Sequence, residues 1–394
     1  MSSSHAPTFL SLFSGAGGLD LGLEAAGFRC RGTVELDKQA HATLKKNRPQ
    51  WFDFSASNID DIADSIKPQD LDLRNKGELD LLAGAPPCQP FSTAGQWAKR
   101  GRSCLADDRA NTLDAFLQIV SRLLPKTVIL ENVPGFRSGG GEELVRTFLE
   151  DPQKAGAQYT VTSRVIECSE YGIPQRRRRL ILVASKLGAF DWNLGRKQSR
   201  TAWDALHDID IETPYPATGK WADLLPSIPE GENYLWHSNV GKGEEIFGNR
   251  TRFWCFLLKL AKDQPSWTLA ASPGPATGPF HWDNRPLAPL EAKRIQTFPR
   301  NWELLGSRRD QIRLVGNATP PLLGERLGRA LMRHLGRNVE TSSYKMAIPK
   351  ANRPIPKPHH TDVPEKYFHL IGRKKCHPGT GLGPAPKNST LIPS

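Results

Sequence analysis

Residues 8–37, "TFLSLFSGAGGLDLGLEAAGFRCRGTVELD", set the fold class. "TFLSLF" is a short apolar run of strand length, and three glycines, Gly15, Gly17 and Gly18, break it. "GLDLGLEAAG" then carries apolar residues at helical spacing and ends at Gly27, and "RGTVELD" reads as a second strand. Outward from this unit, "LDLLAGA" (79–85) and "KTVILENV" (126–133) read as further buried strands, with helical "NTLDAFLQIVSRLL" (111–124) before the latter. Strands alternating with helices predict an α/β architecture with a parallel, doubly wound sheet.

The chain has 394 residues, 38% of them hydrophobic, which suits one large domain and a smaller one. No run approaches the ~20 apolar residues needed to span a bilayer. The opening lacks the basic start and long apolar stretch of a signal peptide, so the expected site of action is intracellular. Six scattered cysteines form no C-x-x-C pair, which predicts neither a zinc site nor a disulfide framework. A formal charge of +12 points to a polyanionic partner such as nucleic acid, although a basic solvated surface gives the same number.

Four segments follow from composition: 1–189, where strands and helices alternate; 190–285, rich in Trp, Pro, Gly and polar residues and read as an irregular second domain; 286–340, where helical signal returns; and 341–394. The last has nine prolines and nine Lys/Arg against two Asp/Glu, and is expected to be a mostly flexible basic tail, the alternative being a segment that folds back on the catalytic domain through "EKYFHLIG" (365–372).

A strand running through a glycine turn into a helix leaves backbone and helix N-terminus open to a ligand, although glycine turns of this kind are common packing devices. Glu35, twenty positions after Gly15 at the end of the next strand, is placed to accept from ribose hydroxyls. Together they favour an adenosine-bearing cofactor, and the G-x-G-G spacing favours a single adenosine over a dinucleotide. In "GAPPCQPFSTAG" (84–95), Cys88 follows a strand at its carboxyl edge on a proline-stiffened loop. Packing remains open for it, but this position suits a nucleophile. Glu131 in "VILENVPGF" (128–136) sits at another strand end, where a plain surface carboxylate is the commoner reading. In "YGIPQRRRRLILV" (171–183) arginines enter a strand, so Arg177 and Arg179 face one side together.

In order, "FSGAGGLDLGLEAAGF", "GAPPCQPFS", "ENVPGF", "QRRRR", "RPLAPLEAKRIQTFP" and "GNATPP" resemble the motif series of the DNA (cytosine-5)-methyltransferases of bacterial restriction-modification type, over roughly residues 8 to 336. The resemblance implies a Rossmann-like, S-adenosylmethionine-dependent domain with a mostly parallel sheet, 190–285 as its smaller target-recognition domain, and double-stranded DNA as substrate. It implies that Cys88 adds to cytosine C6, that Glu131 bonds the N3 and amino edge, and that Arg179, with Arg177 in support, faces the cytosine O2 or holds the catalytic loop. Phe13, Gly15, Gly17, Gly18, Glu35, Leu113 and Asn317 match cofactor positions. Asn58 stands where the family usually has an aspartate, with Asp60 or Asp61 as alternatives. The target base must be flipped out of the duplex, and the loop at 92–109 is suited to closing over it. Thr268 and Leu269 resemble a Thr-aliphatic pair of recognition domains. The resemblance further implies a cytoplasmic bacterial monomer, nucleoid-associated on DNA, without a metal and functionally paired with a restriction endonuclease. A tRNA cytosine-5 methyltransferase and a noncatalytic DNA-binding relative are the alternatives. A nicotinamide oxidoreductase leaves Cys88, Glu131 and the arginines unexplained.

Overall fold

The computed structural model describes residues 6–52, 54, 59–87, 111–247, 254–338 and 346–372. Cys88, Asn58 and the loop at 92–109 lie outside the described residues. Strand β1 (Thr8–Leu12) is buried along its whole length, as its apolar run requires. Helix α1 (Gly18–Ala25) follows the glycine turn and leads to β2 (Arg29–Val34) and α2 (Lys38–Asn47), which Asp37 caps by accepting from the Gln39 and Ala40 amides. Helix α3 (Ile59–Ser65), β3 (Leu81–Gly84), α4 (Asn111–Leu123), β4 (Thr127–Asn132), α5 (Gly141–Leu149) and β5 (Thr160–Glu167) continue the alternation. A short β6 (Gln175–Arg176) precedes β7 (Arg178–Ser185).

The six-stranded sheet has the order β2-β1-β3-β4-β7-β5. Four neighbouring strands, β2, β1, β3 and β4, are parallel. The expectation of a parallel sheet stops at β7, which runs antiparallel to both β4 and β5. Apolar cores fill both faces: Phe9, Leu81, Ile129 and Ile181 on one side, and Leu10, Leu82, Val128 and Leu182 on the other. Strands buried on both faces read as unbroken apolar runs, which is why they are legible in the sequence.

Within the irregular segment lie α6 (Ala202–Leu206) and β8 (Ser266–Trp267), and after it come α7 (Pro289–Ile295), α8 (Arg308–Asn317) and α9 (Pro321–His334). Helix α9 lies directly on α1. An added Cβ at Gly22 would stand 2.4 Å from the Pro321 carbonyl oxygen, and one at Gly18 would stand 2.1 Å from that of Thr319. Gly324 and Gly328 make the reciprocal approach, to Leu19 and Ala26. These helices touch through backbone, so α9 and the residues just before it are pressed against α1.

The smaller unit has a separate core in which Trp221, Leu224, Tyr234, Phe247 and Phe280 pack between short 3-10 turns. The C-terminal segment differs from the flexible tail expected of 341–394, because residues 346–372 dock onto this unit. The Ala351 amide donates to Asp204 at 2.8 Å, the Thr361 amide to the Pro226 carbonyl at 3.0 Å, and the Tyr367 hydroxyl to the Lys220 carbonyl at 2.8 Å. The Tyr367 ring stacks on Trp221 with an interplanar angle of 13°. Composition misled here because a proline-rich strap can be anchored by a few apolar side chains, Met346 and Ile348 against the larger part and Val363 and Tyr367 in the smaller unit, without burying its polar remainder.

Two outcomes follow from this packing. Gly18→Ala should cost about 1–3 kcal/mol by overpacking against Thr319, measured by urea unfolding. Tyr367→Ala should cost roughly 3 kcal/mol as an aromatic is removed from a closed core, and truncation after residue 340 should lower the melting temperature at least as much. An unchanged melting temperature in the truncated chain would remove the strap from the stability of the smaller unit.

Candidate functional site

The carboxyl edge of the sheet opens into a cavity of about 640 Å³, a size that suits one nucleoside-sized ligand together with part of a second group. Phe13, Gly15, Glu35, Glu131, Arg179 and Asn317 all line it, drawn from five separate stretches of sequence. Pro86 and Pro87, the residues immediately before Cys88, reach its wall.

At one end, Phe13 adopts φ 56° and Gly15 φ 57°, so the chain leaves β1 by a left-handed step that only Gly15 makes without strain. Nothing lies within 4 Å of where a Gly15 Cβ would stand, which leaves its backbone bare to the cavity. The Glu35 carboxylate accepts from the Gly15 amide at 2.6 Å and from the Asp37 amide at 2.7 Å. It therefore pins the glycine turn to the end of β2, and burial raises its pKa above the usual carboxylate value. Trp302 closes the turn from outside by donating its indole N–H to the Ala16 carbonyl at 3.1 Å.

Gly17 and Gly18 do not line the cavity. A Cβ at Gly17 would meet Leu44 at 2.7 Å and Trp302 at 3.1 Å, so both glycines permit close packing and the bare approach belongs to Gly15. Leu113 is likewise buried in the core below, while its neighbour Thr112 reaches the wall.

At the other end, Glu131 is the next-to-last residue of β4 and pairs with Arg179, Nε to Oε1 at 3.0 Å, both side chains nearly out of solvent. The antiparallel direction of β7 makes this possible, since its first residues arrive where β4 ends. Arg177 and Arg179 do face inward together, with Arg178 exposed between them. Their tasks differ, however. Arg177 is fully buried and its guanidinium donates to the carbonyls of Gly316 and Ala318, both at 3.0 Å. It holds the return loop that carries Asn317 and does not line the cavity.

Sequence reading missed the residues that join these parts. Gln175 donates to Gln296 at 2.6 Å, and Gln296 in turn donates to the Ala318 carbonyl. The Leu269 amide lies 3.4 Å from the Gln175 side-chain oxygen, and Thr268 donates its hydroxyl to the Arg176 carbonyl at 2.7 Å. Thr268 is exposed, but Leu269 is buried against Ile295 and Val315, so it supports the segment instead of offering its side chain to a partner. A Cβ at Gly316 would stand 2.6 Å from the Ala271 Cα, which presses the 268–271 segment onto the return loop. Nothing marks Gln175 or Gln296 in the sequence beyond their places in two of the motifs.

Asp20 was also missed, since an acidic residue in the first turn of a helix is ordinary there. It is fully buried, lines the cavity, and accepts through Oδ1 from Ser11, whose hydroxyl is held by Ser14. Its Oδ2 has no hydrogen-bond partner among the described residues. Burial pushes its pKa to about 7, with Ser11 opposing and Glu35 and Glu24 adding to the rise.

The family model of the C-5 cytosine-specific DNA methylases matches residues 7–333. Among curated relatives, the type II methyltransferase M.SacI of Streptomyces achromogenes is 34% identical over 380 residues, covering 84% of this chain and 94% of the relative. M.Sau96I of Staphylococcus aureus is 31% identical over 355 residues, covering 82% and 75%. Among solved structures, the Entamoeba histolytica methyltransferase EhMeth superposes with a TM-score of 0.60 at 19% identity, covering 84% of this chain and 99% of the other, which speaks to the fold alone. Fold and site thus define an α/β methyltransferase. The chain belongs to the C-5 cytosine-specific DNA methylases and is a DNA (cytosine-5-)-methyltransferase. No helix among the described residues is long and apolar enough to cross a membrane.

The raised Asp20 carboxyl gives a pH signature. The folded state keeps a proton that the unfolded chain loses near 3.8, so Asp20 subtracts stability as pH rises from there through about 7. Asp20→Asn should therefore melt higher than the wild type at about pH 8, with the gap narrowing towards about pH 5. Parallel melts at the two pH values check the sign.

Proposed function

We propose that this chain methylates C5 of a cytosine flipped out of a specific double-stranded DNA sequence, using S-adenosylmethionine, through a covalent adduct at Cys88. The observation that carries the reading is the single cavity in which a nucleoside-type end, Gly15 and Glu35, meets the Glu131–Arg179 pair. The donor set fits S-adenosylmethionine. The bare Gly15 backbone leaves room for it, Glu35 keeps lone pairs for ribose hydroxyls, Phe13 offers an apolar surface, and Asn317 closes the opposite wall. When bound, it supplies a methyl group on a positively charged sulfur.

The chain's residues make cytosine able to accept that group. Cytosine C5 is a poor nucleophile until the Cys88 thiolate adds to C6, which turns the ring into an enamine. Glu131 holds the N3 and amino edge of the base in this reading, and Arg179, paired with it at 3.0 Å, supplies positive charge as the ring gains electron density. Loss of the C5 proton and departure of the thiolate restore the aromatic ring. Arg177 acts at one remove, by holding the return loop.

A base stacked in a duplex is out of reach of this cavity, so flipping is required. Residues 190–285 serve as the target-recognition domain between the catalytic segments 1–189 and 286–340. Exposed Thr268 lies beside Trp267, over which Arg176 stacks at 4.8 Å, an aromatic and basic surface suited to DNA. Relatives named as type II methyltransferases support a role in restriction-modification, with a paired endonuclease and a cytoplasmic, nucleoid-bound location.

Cys88→Ser should abolish transfer of label from tritiated S-adenosylmethionine to duplex DNA while leaving S-adenosylhomocysteine binding within about twofold. Duplex DNA carrying 5-fluorocytosine at the target should trap wild-type enzyme as an adduct that survives denaturation, because fluorine cannot leave as a proton does. Normal turnover by the serine variant, or labelling of tRNA in place of DNA, would overturn the reading.

A further inference from the structure

The smaller unit is an insertion in the chain, which enters it through α6 and leaves it for α7. These two crossings lie side by side, since Ala202, Ala205 and Leu206 of α6 pack with Ala292 and Ile295 of α7 in one apolar cluster. Adjacent connections act as a hinge. They fix where the two parts meet, and they resist a change of angle less well than an attachment further out.

Residues 346–372 make a third connection, outside the span of residues 7–333 that the family model matches. They run from one core to the next in chain order. Met346 joins the core that holds Phe9, Ile348 joins the hinge cluster, and Val363 and Tyr367 join the core of the smaller unit. Polar contacts secure both ends of the run. On the near side Arg200 donates to the Ile348 carbonyl at 2.8 Å and the Trp203 indole to that of Arg353 at 3.1 Å; on the far side the Gly372 amide donates to the Glu245 carbonyl at 2.9 Å. Residues 352–362 between them are exposed throughout. Their sequence shows how an exposed stretch still transmits position. In "RPIPKP" (353–358) each residue is a proline or precedes one. Proline fixes its own φ and drives the residue before it towards extended backbone, so the run is stiff without being buried.

We infer that this segment is a splint across the hinge, which positions the smaller unit relative to the catalytic cavity and so sets the fit of the enzyme to duplex DNA. This rests on the reading of residues 190–285 as the target-recognition domain. The gain is entropic: a recognition surface free to swing must be brought to one angle when DNA binds, and a splint removes that cost beforehand. The effect falls on DNA binding and not on the chemical step, because no residue of the splint lines the cavity. Lys350, Arg353 and Lys357 are exposed along it. Charge alone needs neither the anchors in two cores nor the alternating prolines.

Inserting about eight Gly and Ser residues after Pro356 slackens the run while every anchor keeps its partners. Because lengthening a loop costs little, the variant should melt within about 4 °C of the wild type. Its KM for unmethylated plasmid DNA should rise on the order of fivefold or more, with kcat and the affinity for S-adenosylhomocysteine both within about twofold. Electron–electron double resonance between spin-labelled unnatural amino acids at exposed Leu187 and Val240, one on each part, reads the angle directly. The distance distribution should be narrow in the wild type and broad in the variant. No broadening would overturn the splint. Broadening with an unchanged KM would instead overturn the reading of 190–285 beneath it, since the part that swings would not be the part that meets DNA. Replacing Lys350, Arg353 and Lys357 together by Gln should leave KM within about twofold. A rise there, with none in the lengthened chain, would make the segment a phosphate contact in place of a splint.

Discussion

The contact between α1 and the residues that follow α8 is the constraint on which the rest of the molecule depends. Four glycines, Gly18 and Gly22 on one side and Gly324 and Gly328 on the other, let two backbones meet at distances that any side chain forbids. The segment around residue 320 is thereby fixed over the first glycine turn. Without that approach the cavity has a floor and two ends but no far wall, because Asn317, Ala318 and Thr319 supply it. Each apolar helix face gains area as well, and α9 buries Leu322, Leu323, Leu327 and Leu331 at the same interface. Two segments far apart in sequence, Gly18–Gly22 and Thr319–Gly328, are closed on each other by missing side chains.

A second linkage is polar and runs through the interior. Arg177 and Gln296 both donate to the Ala318 carbonyl, Gln175 bridges Gln296 and the Leu269 amide, and Gly316 admits the Ala271 backbone. The 268–271 segment, the return loop and the first residues of the β6–β7 stretch are thus one hydrogen-bonded body. A buried guanidinium is tolerable there because carbonyl oxygens receive it, and the arrangement is specific because each partner has a fixed direction. The 268–271 segment and the wall of the cavity share this frame.

The electrostatics of the cavity follow from the same geometry. Asp20, Glu35 and Glu131 converge on one space, with Asp37, paired to Arg313, a fourth carboxylate on its wall. Each is managed differently. Backbone amides hold Glu35, a guanidinium holds Glu131, and a single hydroxyl holds Asp20, which is left incomplete. The smaller unit is stabilised by other means, with an aromatic core around Trp221 and a strap that returns from the C-terminal side to stack Tyr367 upon it.

The sequence by itself determined the strands β1 to β4, the glycine turn, the position of Glu35 and the inward pairing of Arg177 with Arg179. Those features are local: apolar runs, a period of two and a strand-end position are properties of a few consecutive residues. Motif order carried the family. The tertiary structure decided what local pattern cannot encode. It gave β7 its antiparallel direction, which brings Arg179 to Glu131, and it assigned Gly17 and Gly18 to packing while Gly15 alone faces the cavity. It separated Arg177 from Arg179 in role, buried Leu269, docked residues 346–372, and exposed Asp20 as a carboxylate short of a donor. In each case the deciding partner lies far along the chain, and a side chain's role is set by what it touches, which spacing within a motif does not contain.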